Sequence, residues 1–84
     1  MTEDGDQRLA DMVATLARGL VDTPDEVRVE REREGDTTVL SLYVAQEDLG
    51  QVIGRGGRIA RSLRLVTRQA AHAAGGRVNL EIVD

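Results

Sequence analysis

The chain has no cysteine, no lysine, no phenylalanine and no tryptophan, and only one tyrosine (Tyr43), one proline (Pro24) and one histidine (His72). Without cysteine there is no disulfide, no thiolate zinc site and no thiol nucleophile, so 84 residues must be held by packing alone or by a partner. A reducing cytoplasm is the expected compartment. With one aromatic residue the core must be aliphatic, and modules that stack bases on aromatic platforms are excluded. A phosphate-binding P-loop needs a lysine that is absent. His72 sits among Ala70, Ala71, Ala73 and Ala74, with no cysteine or paired carboxylates in its half of the chain, so no catalytic residue, cofactor or metal is expected. No apolar run approaches the roughly 20 residues that span a bilayer, and the acidic start Met1-Thr2-Glu3-Asp4 has the wrong charge for a signal peptide; no membrane association is expected.

What is present is charge, unevenly placed. The formal net charge is -4. Residues 1–50 hold 13 acids against 5 arginines, a balance of -8, whereas residues 51–84 hold 6 arginines against Glu81 and Asp84, a balance of +4. Such asymmetry points to a polyanion site on an otherwise solubilising surface. That every basic residue is arginine suits bidentate phosphate contacts, although GC-rich codon usage is the stronger explanation.

Residues 1–5 are polar and are assigned to a disordered N-terminus; residues 6–84 are one domain. Leu9, Met12, Val13, Leu16 and Leu20 recur at helical spacing and predict a helix over about 6–20. Asp22-Thr23-Pro24-Asp25 is a turn. Val27 and Val29 begin a strand that continues through charged residues to a Gly35-Asp36 turn. In the returning strand Thr38, Leu40, Leu42 and Val44 face one way, and Val39, Ser41 and Tyr43 face outward. Gln46-Glu47-Asp48 places two acids in a first helical turn, where the dipole favours them, and Leu49, Val52 and Ile53 give a short apolar face that stops at Gly54. Ile59, Leu63, Val66, Ala70 and Ala73 predict a longer helix capped by Gly75-Gly76, and Val78, Leu80 and Ile82 a last strand. The expected fold is α+β and two-layered: a three-stranded sheet with three helices on one face, in the order α-β-β-α-α-β.

The informative segment is Val52-Ile53-Gly54-Arg55-Gly56-Gly57-Arg58-Ile59. Glycine between helices is ordinarily a turn. Here Arg55 and Arg58 flank a backbone that no Cβ covers at the start of a helix, which is an anion site in the making. Arg58, Arg61, Arg64 and Arg68 continue at helical spacing, and no acid occurs from Gln51 to Gly76. Phosphate contact is expected from Arg61 or Arg64 and is left open for Arg68.

Val-Ile-Gly-x-x-Gly-x-x-Ile resembles the signature of the KH domain, whose Gly-x-x-Gly loop clamps about four nucleotides of backbone. The element order resembles the type II KH arrangement, and residues 6–84 resemble the small bacterial KhpA family. The resemblance implies a cytoplasmic protein that binds single-stranded RNA and acts as an RNA chaperone. It also implies a homodimer or a heteromer with a Jag-type KH protein, working in cell-envelope homeostasis and cell-length control. By position, Gly54 and Gly57 become the clamp glycines, Arg55 and Gly56 the variable pair, and Ile53 and Ile59 walls of the base groove. Gly56 departs from the pattern by removing a side chain that could meet phosphate. The alternative is a helix-turn-helix-like DNA-binding protein that lays the same arginines in a major groove. A third reading makes Val39 and Tyr43 a protein-binding face and the glycines only a turn.

Overall fold

The structure, a computed structural model, describes residues 1–84. It is the expected α+β sandwich, with α1 (Glu3–Arg18), β1 (Arg28–Glu34), β2 (Thr37–Tyr43), α2 (Leu49–Ile53), α3 (Arg58–Ala73) and β3 (Arg77–Ile82). Helix α1 begins at Glu3, inside the stretch assigned to a disordered start. The Thr2 side chain accepts the Gly5 N–H at 3.0 Å, and Glu3, Asp4 and Asp6 occupy the first turn, where the helix dipole favours acids. This cap is wholly polar, so an apolar stripe does not register it.

Gly35, at φ +64°, turns β1 into β2 as an antiparallel hairpin in which Arg28 faces Tyr43 and Glu34 faces Thr37. Strand β3 returns parallel to β2 after the α2–α3 crossover, leaving β2 central and β1 and β3 as edges. Leu40 and Leu42 of β2 and Val78 and Leu80 of β3 meet Leu9, Val13, Ala17, Leu63 and Ala71 of the helices in a core made only of Val, Leu and Ala.

Two expectations are corrected by the packing. Val39 does not face water: it is 6% exposed, because the flanking strands place Glu32 and Asn79 beside it in register. Helix α3 is rotated from its apolar stripe, burying Ala60, Leu63, Thr67 and Ala71 while Val66 stays 46% exposed and Ala73 exposed. Small residues let the helix approach the sheet closely, and Thr67 is tolerated because its hydroxyl donates to the Leu63 carbonyl at 2.6 Å.

The charged β1 strand finds partners in α1. Asp6, 5% exposed, accepts from Thr38 Oγ1 at 3.0 Å and from Arg33 Nη2 at 2.6 Å, and Arg31 Nη1 reaches the Glu3 carbonyl at 3.2 Å. Three of the five arginines in the acidic half, Arg28, Arg31 and Arg33, are thereby paired within it. No helix is long and apolar enough to cross a membrane.

Candidate nucleic-acid interface

Helix α2 has only five residues and is fixed from outside itself. Asp48 is buried and accepts the Thr23 N–H at 2.9 Å, while Gln51 Nε2 donates to Asp22 Oδ2 at 3.2 Å. Asp48 makes no side-chain cap on α2. It ties the α1–β1 connection to the base of the loop-bearing helix.

Helix α2 ends at Gly54, with φ +77° and ψ 168°, a region essentially confined to glycine. A Cβ there would also meet Ile59 Cγ1 at 2.7 Å and the Ile59 nitrogen at 2.9 Å. Arg55–Gly57 form one 3-10 turn, with Gly56 and Gly57 in left-handed geometry at φ +62° and +79°. Gly57 is the N-cap of α3 and has no side chain to occupy the helix start. Nothing lies within 4 Å of a Cβ placed on Gly56, so the loop crest is open to solvent. The loop is therefore both a required turn and a bare stretch of backbone at the positive end of a 16-residue helix.

Arg55, Arg58 and Arg61 are exposed around this crest. Arg61 Nη1 donates to the Gly56 carbonyl at 2.8 Å, which braces the loop from the first turn of α3. Arg64 is half-buried and its Nε donates to the Leu80 carbonyl at 3.2 Å, joining α3 to the free edge of β3. All four ion pairs of the fold lie elsewhere, on Arg28, Arg31, Arg33 and Arg77. The five arginines from Arg55 to Arg68 thus keep their charge uncompensated, which turns the sequence asymmetry into a local field.

Along α3 and the β3 edge runs a groove of about 320 Å³ lined by Arg64, Arg68, Val78, Asn79, Leu80 and Glu81. The glycines and Arg55, Arg58 and Arg61 converge on the loop, while Arg64 lies on the groove wall. Ile53 is half-buried beside Gly54. Ile59 packs beneath Gly54 and turns toward α1, where it lines an apolar hollow with Leu16, Leu20, Leu63 and Val66. Sequence reasoning missed that hollow, because Leu16, Leu20 and Val66 were read as core.

A glycine-bridged helix pair beside a parallel edge strand agrees with the comparisons. The family model described as "KhpA/KhpB, KH domain" matches residues 10–82. The chain belongs to this KH-domain family. The RNA-binding protein KhpA of Treponema pallidum is 47% identical over 74 residues, covering 88% of this chain and 92% of that one. The KhpA of Clostridium acetobutylicum is 44% identical, covering 86% of this chain and 96% of that protein, and the KhpA of Leifsonia xyli is 45% identical, covering 90% and 97%. Relatives of this KH family carry the name of RNA-binding proteins and not of enzymes. In fold, the chain is similar to Era of Aquifex aeolicus bound to GDP and aluminium fluoride, with a TM-score of 0.63, 20% identity and 88% of this chain covered. A second Era structure, holding MgGDPNP and nucleotides 1506–1542 of 16S ribosomal RNA, gives a TM-score of 0.63 at 22% identity, with 88% of this chain covered. The chain spans only 29% and 28% of those two Era chains.

Proposed function

We propose that this protein binds single-stranded RNA, with the Gly54–Gly57 loop clamping the backbone and the bases turned into the groove between α3 and β3. The observation that carries this reading is the pairing of a Cβ-free helix start with flanking arginines that no carboxylate neutralises. The family's relatives, named as RNA-binding proteins, support the same ligand. The test is the double substitution Arg55→Asp with Gly56→Asp. Both positions lie on the open crest, and aspartate is among the residues that tolerate left-handed backbone, so the fold should persist. RNA binding followed by fluorescence anisotropy should vanish. Unchanged affinity would overturn the clamp, and preference for duplex DNA over single strands would favour the groove-reading alternative.

The same reading extends to assembly. One clamp of about four nucleotides offers few contacts and no aromatic stacking, so useful affinity calls for a second KH-bearing chain, another copy or a Jag-type partner. The outward sheet face is a poor candidate, since Val39 is buried and Tyr43 lies under Arg28, whose guanidinium is 4.1 Å from the ring centroid. The apolar hollow at Leu16, Leu20, Ile59 and Val66 is the better surface. The resemblance to the KhpA family supports an RNA chaperone acting in the cytoplasm on cell-envelope homeostasis and cell length.

A further inference from the structure

The groove beside α3 does not stop at Arg68. Past it, the surface between the end of α3 and the start of β3 forms a second hollow of about 530 Å³, and Arg68, Val78 and Asn79 border both. The two make one continuous channel along the α3–β3 edge. Its far end is lined by Arg68, His72 and Arg77. Arg68 and His72 lie one helical turn apart on the same face. The chain then reverses at Gly75–Gly76, where Gly75 N donates to the His72 carbonyl at 2.9 Å and Gly76 N to the Ala71 carbonyl at 2.8 Å, bringing Arg77 back beside them.

All three side chains are exposed. Arg68 and His72 have no carboxylate partner, and Arg77 meets only Asp36 at 3.7 Å, with both groups about three-quarters exposed, a contact that solvent weakens. Because the two glycine N–H groups are spent in the helix cap, an anion here is held by side chains alone. Along α3, Arg68 and His72 lie about 15 and 21 Å beyond Arg58, too far to share one phosphate with the loop.

We propose that Arg68, His72 and Arg77 form a second phosphate subsite, so that a strand clamped at Gly54–Gly57 continues along α3 and the footprint exceeds the clamp. This rests on the RNA-binding reading above. The test compares oligoribonucleotides of about four and about eight pyrimidines on the intact chain and on His72→Gln/Arg77→Gln. The intact chain should bind the longer strand several-fold more tightly. The double variant should lose that gain, leave the short strand's affinity unchanged, and flatten the salt dependence of the longer strand by roughly 0.7 in slope per lost phosphate. Asp36→Asn, which frees Arg77, should strengthen binding of the longer strand alone. Equal affinity for both lengths in the intact chain, or a variant that retains the gain or weakens both lengths alike, would overturn the subsite. Failure of the clamp is read separately: Arg55→Asp/Gly56→Asp removes binding at both lengths if the clamp is real, and neither if it is not.

Discussion

A Cβ on Gly54 would lie 2.7 Å from Ile59 Cγ1 and 2.9 Å from the Ile59 backbone nitrogen, whereas a Cβ on Gly56, two residues on, would meet nothing within 4 Å. The Ile59 nitrogen belongs to the first turn of α3 and cannot move alone. Gly54→Ala should therefore combine a dihedral penalty of about 1–3 kcal/mol with overpacking of about 1–3 kcal/mol. Gly56→Ala bears only the left-handed penalty, about 1 kcal/mol. Urea denaturation of the two variants measures the difference, and equal losses would mean that Ile59 yields.

Asp6 anchors α1 to the sheet through Thr38 and Arg33, and both Asp6 and Thr38 are buried. Asp6→Ala strands the Thr38 hydroxyl in the core and removes the partner of Arg33, which should cost about 2–4 kcal/mol. Thr38→Val in the Asp6→Ala background removes the stranded hydroxyl and should recover part of the loss. A thermodynamic cycle over the two positions reads this coupling; additive losses would show that the hydrogen bond contributes nothing.

The hairpin, the last strand and the glycine loop were legible because each rests on local pattern: alternation about Gly35, a glycine pair after Ala74, and an apolar stripe ending at Gly54. The bonds from Asp6 to Thr38 and from Asp48 to Thr23 were not, since they join side chains and backbone 32 and 25 residues apart. Nothing in periodicity distinguishes such acids from solvated ones. The rotation of α3 was hidden for a related reason. Thr67 reads as polar, yet its bond to the Leu63 carbonyl lets it face the core and leaves Val66 outside. At the candidate site, the arginines were legible as a stripe ranked only by distance from the loop. The fold divides them: Arg61 braces the Gly56 carbonyl, Arg64 bridges to Leu80, and Arg55 and Arg58 stand free.

That division gives a prediction about salt. If loop and stripe neutralise about three phosphates of a single strand, log K against log salt should fall with a slope near -2, at roughly -0.7 per contact. Arg58→Gln should flatten the slope by about one contact without affecting the fold. Arg61→Ala should flatten it and also loosen the loop, because the Gly56 carbonyl loses its donor. Isothermal titration at several salt concentrations measures both. A slope near zero for the unaltered chain would mean that the basic half does not hold the ligand.

The last prediction concerns assembly. Leu16, Leu20 and Val66 are 39%, 36% and 46% exposed and adjoin Ile59 in one hollow, so apolar surface from two helices faces water together. An isolated exposed leucine is ordinary, but a shared patch beside the glycine loop is a place for a second KH-bearing chain to sit. Val66→Glu puts a charge into that patch from an already exposed position, so the monomer's stability should change by no more than about 0.5 kcal/mol. Self-association or partner binding should be lost, and with it the gain of about two to four decades that tethering two clamps gives to RNA affinity. Tyr43→Ser on the sheet face should leave assembly intact. Sedimentation with and without a KH-bearing partner, followed by RNA titration, decides between the two faces: dissociation by Tyr43→Ser but not by Val66→Glu would move the interface back to the sheet.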